Sequence, residues 1–589
     1  MSEAKLRRVG QQTPRLAGMV RSRRQPALVV SGGAAALAKA RVTAHTAAVA
    51  WWNVSVHAQG AAGIAQIRLP EALGLGSLPP FAAADAEAYG HHLACRPVAE
   101  AAAALGTLYT EALPPAHRAR HGIFYTPPVL ARRLLDQAEH AGHGWRTGRA
   151  IDPACGAGAF LVEAAGRIIA ALPGADPAIV LSALGARLRG WDIDPFAVWL
   201  ANLATEVVAL PLVVASGRRL GPVAEPRDAL GDVAHEAGRY ELVMGNPPFG
   251  KVKDTPALRG RFARSLHGHP NLYGMFTDLA VHLVRPDGGV VAWLTPASFL
   301  GGHYFKALRR LLHTEAAPIT LDLVESRKDV FPDVLQEIVL STFRRGRPRR
   351  PAACAVVLAG PDGLAVRLTG PLILPDDPGA AWILPRRAED AAFVARMRQM
   401  PARLADWGYR VSTGPLVWNR HKTRLHATPA QGRVPVIWAE AVTQDGRFVL
   451  KATKRDHAAW FEPAGPRDPN IVTRPCVLVQ RTTAKEQRRR LVAAELPAAV
   501  FARHGQVTVE NHLNMVVPRD VAPALPVAAV AAFLATATAD RVLRCINASV
   551  AVSASELAAM PLPPAEDVRI ALAASDPDAA VRRLYDLPA

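Results

Sequence analysis

The stretch Ala150-Ile-Asp-Pro-Ala-Cys-Gly-Ala-Gly-Ala-Phe160 runs from a short apolar segment through an acid and a glycine-rich turn into a helical pattern, Leu161 to Ala171. Gly156 and Gly158 let the backbone turn sharply and approach a ligand closely, which a Cβ would prevent. A Gly-x-Gly alone occurs in many strand-to-helix turns, so the neighbouring residues carry the reading. One βα unit later stands Gly190-Trp-Asp-Ile-Asp-Pro195, with an acid where a second parallel strand should end. A carboxylate at Asp192 can accept both hydroxyls of a ribose. Asp194 is the better helix cap, because Pro195 fits the first helical position. The chain has no phosphate loop of the Gly-x-x-x-x-Gly-Lys-Ser/Thr kind, so an adenosine-bearing ligand without phosphates fits better than ATP.

Outward from this turn, short apolar runs alternate with helical patterns between about 121 and 345: Ala150-Ile151, Arg187 to Trp191, Tyr240 to Met244, Gly289 to Leu294. That alternation predicts an α/β fold with a doubly wound, mostly parallel sheet. Residues 1–45 hold nine Lys or Arg and one acid, Glu3, and read as a basic flexible tail. A helical region is expected over 46–115, broken at Pro114-Pro115, and the catalytic domain over 116–345. The basic run Arg344 to Arg350 opens a strand-containing connector, 346–400, and a mixed α+β region fills 401–589. Arg23-Arg24 precedes a poor apolar segment, so no export signal is expected. The uncharged stretch Val521 to Ala539 contains Pro523 and Pro526 and reads as a buried helix rather than a membrane span.

At 589 residues the chain should form several domains, and its 69 Lys plus Arg against 50 Asp plus Glu give a formal charge of +19. Such an excess points to a polyanionic partner, because cations on a phosphate backbone release condensed counterions. Cys95, Cys155, Cys354, Cys476 and Cys545 show no Cys-x-x-Cys spacing, which predicts reduced thiols, no zinc site and no disulfide framework. His91-His92 lacks spaced partners, so no metal is expected. Pro475-Cys476 lies inside an apolar strand far from the cofactor turn and reads as a core thiol rather than a nucleophile.

The most informative run is Tyr240-Glu-Leu-Val-Met-Gly-Asn-Pro-Pro-Phe249: an apolar strand, a glycine, an amide, two stiffening prolines and an aromatic ring. An adenine amino nitrogen is a poor nucleophile because its lone pair is delocalised into the ring. The amide oxygen of Asn246 and the backbone carbonyl of Pro247 can each accept one of its N–H bonds. That localises the lone pair for in-line attack on a sulfonium methyl. Pro248 stiffens the loop, and Phe249 offers a face for stacking the base.

The series His121-Gly-Ile-Phe-Tyr-Thr-Pro-Pro128, Asp152 to Phe160, Gly190 to Pro195 and Asn246 to Phe249 resembles the γ-class of N6-adenine DNA methyltransferases. The resemblance implies a Rossmann-like class I fold that uses S-adenosyl-L-methionine, followed by a C-terminal target-recognition domain. It implies that Tyr125, Thr126 and Pro127 line the methionine end of the cofactor, that Asp152 binds its amino group, and that Asp228 contacts its adenine. Asp232 remains a second candidate for that last role. Ala154, Gly156, Gly158, Phe160, Asp192 and Ile193 complete the implied cofactor set. Asn271 to Phe276 matches the family's helix after the catalytic loop. Asp329-Val-Phe-Pro332 matches the loop whose aromatic, here Phe331, stacks on a flipped base opposite Phe249.

More weakly, Val411 to Gly414, Val479 to Arg490, Glu510 to Asn514 and Val552 to Leu557 are similar to the recognition half of PstI-type modification enzymes. Arg474, Arg481, Lys485, Arg488, Arg489 and Arg490 set six positive charges against Glu486 in seventeen residues, a density suited to phosphate or guanine contacts. On a helix, three successive arginines point in different directions, which favours phosphates. The implied partner is double-stranded DNA in a bacterial cytoplasm, with a cognate restriction endonuclease acting separately and no membrane. The rivals are a protein-glutamine or RNA methyltransferase with the same core, and a bifunctional methylase–nuclease. The roughly 110 residues between the basic tail and the cofactor turn read as too few for a nuclease, and no convincing Pro-Asp…(Asp/Glu)-x-Lys nuclease set is found.

Overall fold

The computed structural model describes residues 32–61, 63–73, 75, 78–121, 126–250, 252–325, 337–346, 350–360, 363–454, 457–482, 488–546 and 551–585. Nine strands form the main sheet: β1 (Ala150–Asp152), β2 (Leu188–Asp192), β3 (Ala224–Pro226), β4 (Leu242–Gly245), β5 (Val290–Pro296), β6 (Ala316–Glu325), β7 (Ile338–Arg345), β8 (Ala352–Gly360) and β9 (Gly363–Leu372). Their order is β3-β2-β1-β4-β5-β7-β6-β8-β9. The first five are mutually parallel, whereas β7 runs antiparallel to both β5 and β6. The chain therefore winds outward from β1 in two directions, and the crevice beyond the carboxyl ends of β1 and β4 is the switch point where such sheets bind ligands.

Both faces of the sheet are covered, which explains why every residue of β4 and β5 is buried. On β5, Val290, Ala292 and Leu294 face one core while Val291 and Trp293 face the other. The first core is packed by α1 (Gly32–Ala58), α2 (Pro80–Ala94), α3 (Val98–Ala112), α5 (Pro128–His140), α6 (Ala159–Ala170), α7 (Pro177–Arg187) and α8 (Pro195–Ser216). Between α3 and α5 lies the short α4 (Pro115–His121). The second core is packed by α10 (Leu272–Leu283) and α11 (Lys306–Glu315), with α9 (Pro256–Arg261) at its margin. Among the described helices, α8 alone is long and apolar enough to cross a membrane, and it is mostly buried in this core.

Two boundaries differ from expectation. Residues 32–45, assigned to a flexible tail, are the first half of α1, whose Ala44, Ala47, Ala48, Trp51 and Trp52 are buried. Small alanines pack without giving a strong apolar signal, so the helix was masked by its charges. Residues 352–372, assigned to a connector, are β8 and β9, which extend the main sheet beyond β6. Strands are expected there; what the Pro- and Gly-rich pattern does not show is that they pair onto the main sheet beside β6.

The remaining strands are β10 (Tyr409–Thr413), β11 (Leu425–His426), β12 (Val434–Ile437), β13 (Trp460–Phe461), β14 (Ile471–Val472), β15 (Cys476–Gln480), β16 (Ala493–Leu496), β17 (Val507–Val509) and β18 (Leu513–Pro518). They make a four-stranded antiparallel sheet, β10-β18-β15-β16, and a five-stranded sheet, β11-β13-β12-β17-β14. Cys476 is buried in β15, as a core thiol should be. Helices at Asp390–Arg398, Val527–Leu534 and Ala537–Ile546 share a core with the four-stranded sheet.

Candidate active site

The site begins where β1 ends. Asp152 is almost wholly buried, and its Oδ1 accepts the Ala154 N–H at 3.0 Å. Burial, with a smaller contribution from the charge of Asp192, pushes its carboxyl up to about 8. The carboxylate fits only because β4 ends in glycine: a Cβ at Gly245, whose φ is +148°, would lie 2.6 Å from Asp152 Oδ1. Gly158 caps α6 in a left-handed conformation, and a Cβ there would press within 2.9 Å of Ala201 on α8. The turn thus lies flat on its supporting helix. On its other side, the Gly156 N–H donates to Asp192 Oδ2 at 2.9 Å.

Asp192 ends β2, and the Asp194 N–H donates to its Oδ1 at 2.9 Å. Burial raises its carboxyl to about 6 despite these backbone donors. Each oxygen so held keeps a lone pair for a hydroxyl donor. Ile193 is 58% exposed and presents an aliphatic face to the cleft. Asp194 caps α8 by accepting the Phe196 N–H, with Pro195 in the first turn, as its spacing predicts. It also accepts from Arg41 on α1 at 3.2 Å and from the Tyr109 hydroxyl on α3 at 2.5 Å. The N-terminal helices are thereby fastened to the acidic end of β2.

A cleft of about 580 Å³ opens over these groups. Of the expected cofactor residues, Ala154, Gly156, Asp192, Ile193 and Asp228 line it, with Asn246 and Pro248 at its far wall. Asp228 lines the cleft while Asp232 does not; Asp232 instead accepts the Ala234 N–H. Asp152 lies beneath the turn. Phe160 does not reach the cleft; it is buried in the core under α6, where a ring following a tight glycine turn points back into the sheet. Two acids, an exposed aliphatic side chain and a turn with no side chain at Gly156 match the donors and faces of an adenosine with a charged amino-acid tail. Tyr125, Phe331 and Lys485 lie outside the described residues.

Sequence reasoning missed Arg41, His117, Arg227, Lys253, Leu272 and Phe276, which also line the cleft. Arg227 follows β3 directly and stacks over the Trp191 ring at 4.3 Å. Its place between a strand end and Asp228 was a usable signal. Arg41 gave none, because nothing local ties it to a site 153 residues away.

Asn246 leaves β4 after Gly245, and its Nδ2 donates to the Thr126 hydroxyl at 3.0 Å. Thr126 and Pro127 are buried and are not among the groups lining the cleft. Pro247 is buried, and Phe249 is half-buried with its ring edge-to-face with Tyr273 at 6.3 Å. Tyr273 is fixed in turn by a 2.8 Å hydrogen bond with Ser298 and by stacking on Phe305. The Asn271 side chain caps α10, and the Leu272 N–H donates to the Gly250 carbonyl at 2.9 Å, tying the Asn-Pro-Pro-Phe loop to that helix.

The basic run behaves differently. β15 and β16 form an antiparallel hairpin, so residues 481–492 are its connection, and Arg488 to Arg490 do not lie on a helix. Arg474 and Arg488 are exposed, and Arg481 donates to the Asn511 carbonyl at 2.9 Å. Arg489 donates to the Thr536 carbonyl at 2.8 Å. Arg490 is 4% exposed, and its backbone N–H donates to Asp540 at 2.6 Å. It borders a second cavity, about 680 Å³, between β6, β8 and the helix Ala537–Ile546. There Arg386–Glu337 (3.0 Å), Arg541–Asp390 (2.7 Å) and Arg544–Asp540 (2.7 Å) form ion pairs.

A doubly wound sheet with acidic strand ends at its switch point, and Asn-Pro-Pro-Phe leaving the adjacent strand, defines an amino-group methyltransferase. Residues 221–331 match the family described as Eco57I restriction-modification methylase. The type II methyltransferase M.BsuBI of Bacillus subtilis is 27% identical over 361 residues, 58% of this chain and 68% of that protein. M.PstI of Providencia stuartii is 25% identical over 345 residues, 56% of this chain and 66% of that one. The structure of the type IIL restriction-modification enzyme MmeI in complex with DNA has a TM-score of 0.53 at 13% identity, covering 86% of this chain and 77% of that one, a likeness of fold. The chain is similar to Eco57I restriction-modification methylases over residues 221–331 and is a DNA methyltransferase of restriction–modification type.

Proposed function

We propose that this adenine-specific DNA methyltransferase binds S-adenosyl-L-methionine in the cleft over β1 and β2 and methylates an adenine rotated out of the duplex. The observation that carries the reading is the adjacency of Asn246 and Pro248 to Asp192 and Gly156 around one cleft. S-adenosyl-L-methionine supplies an electrophilic sulfonium methyl. Asp192 accepts the ribose hydroxyls, Ile193 covers one face of the cofactor's adenine, Asp228 takes that adenine's amino group, and Asp152 pairs with the methionine ammonium. Asn246 and the Pro247 carbonyl accept the two N–H bonds of the target amino group, and Phe249 supports the base. The target amino group is unreachable inside the stack, so the base must leave it. The amine lone pair forms the new N–C bond as the C–S bond breaks, and the surplus proton leaves to solvent.

Residues 401–589 serve as the DNA-reading half, with the exposed Arg474 and Arg488 available to phosphates. The protein acts in the cytoplasm as the modification component paired with a separate restriction endonuclease. Expression in a methylation-free bacterium, followed by long-read mapping, should reveal N6-methyladenine at one recurrent sequence. Its absence with active wild-type protein, or its persistence with Asn246→Ala, would overturn the reading.

A further inference from the structure

Thr126 was expected to line the methionine end of the cofactor, yet its buried hydroxyl faces the amide at the end of β4. Its Oγ1 accepts from Asn246 Nδ2 at 3.0 Å across 120 residues of chain. The two partners stand on rigid supports: Pro127 and Pro128 follow Thr126 into α5, and α5 packs against β4 and β5. A carboxamide has a donor end and an acceptor end, and its terminal torsion is soft and nearly two-fold. An adenine amino group offers N–H bonds, so only the oxygen end can receive it; the reversed amide would set one NH2 against another. The Pro247 carbonyl needs no such selection because the backbone fixes it.

We infer that Thr126 is a positioning residue for the catalytic amide, its hydroxyl holding Nδ2 so that Oδ1 is the end presented to the target amino group. This rests on the role given to Asn246 above. Thr126→Val keeps the shape and removes the acceptor. It should lower single-turnover methylation about tenfold, the scale of one well-placed hydrogen bond, while S-adenosylhomocysteine affinity stays within twofold. Thr126→Ser should restore most of the rate. In an Asn246→Ala background, Thr126→Val should lower the residual rate no further, because the two act as one unit.

Asn246→Ala measured alongside separates the two readings. Full activity of that variant overturns the catalytic loop itself. An inactive Asn246→Ala with an unimpaired Thr126→Val overturns only the inference. A Thr126→Val defect that appears in cofactor affinity, with the single-turnover rate at saturation unchanged, assigns Thr126 to the cofactor and also overturns it. Should the valine variant fail to bind S-adenosylhomocysteine at all, the serine and alanine variants carry the comparison: equal rates for the two would defeat the role of the hydroxyl.

Discussion

At the carboxyl ends of β1 and β2, Asp152 and Asp192 are held by backbone N–H groups of their own turns, whereas the arginines after β15 are held by groups from distant parts of the chain. Asp152 and Asp192 take their geometry from Ala154, Gly156 and Asp194, all within the same two turns. Arg489 and Arg490 take theirs from Thr536 and Asp540, about fifty residues away. A site drawn by strand ends is written locally. A site drawn by side chains depends on what the rest of the fold brings near.

The largest expected effect tests the first region. Asn246→Ala should lower turnover at least about a hundredfold, because the amide acts mainly in the transition state. Cofactor affinity, read by calorimetry with S-adenosylhomocysteine, should stay within a few-fold. Next come the strand-end acids. Asp192→Ala should weaken S-adenosylhomocysteine binding by about 1–3 kcal/mol, the usual loss for a charge-assisted hydrogen bond. If affinity were unchanged, the acid would be serving only as a brace for Gly156 and Asp194.

That contrast also accounts for what could be read from sequence. The alternation of Tyr240–Met244 and Gly289–Leu294 with helical patterns sufficed for the parallel core, since strands buried on both faces are continuously apolar. The cap at Asp194 followed from Pro195. Spacing could not choose between Asp228 and Asp232, because both follow the same short strand; only the path of the loop brings Asp228 to the cleft. Thr126 was assigned by its motif to the cofactor, and its contact with Asn246 becomes visible only when β4 and the start of α5 stand side by side. In α1, charges at Lys39 and Arg41 outweighed alanines whose burial needs α2 and α8 beside them.

Acidity gives a third, smaller effect. Asp192 is raised to about 6 and Asp152 to about 8, both chiefly by burial. A carboxyl whose folded value lies above its ordinary 3.8 stabilises the free protein fully only below 3.8. That contribution is lost as pH rises through about 6 and then about 8. Ligand binding has the opposite sign, because hydroxyl and ammonium donors need the ionised form. Affinity for S-adenosylhomocysteine should therefore rise with pH, by about tenfold from roughly pH 5 to pH 7 through Asp192 alone and further through Asp152, with protons released on binding. Calorimetry in buffers of different ionisation enthalpy measures both, and a flat profile would place the carboxylates outside the binding reaction. Arg41→Ala should follow with a loss of only a few-fold, since it reaches Asp192 through Asp194.

The smallest effect sharpens the second region. Arg488 and Arg490 are two residues apart and both line the ion-pair cavity, yet one is exposed and the other is buried. If exposure decides which arginine meets DNA, Arg488→Ala should weaken specific and random duplexes alike, by about threefold at moderate salt, and lower the slope of log affinity against log salt by about 0.9. Its melting temperature should not move. Arg490→Ala should do the reverse: removing a buried cation that faces Glu337 and Asp540 leaves their charges less compensated, so the protein should melt earlier. The salt slope of whatever remains folded should be unchanged. A fall in salt slope for Arg490→Ala without loss of stability would mean that the cavity opens to the phosphate backbone, and the hairpin connection would then be a recognition element rather than a brace between the two halves of the chain.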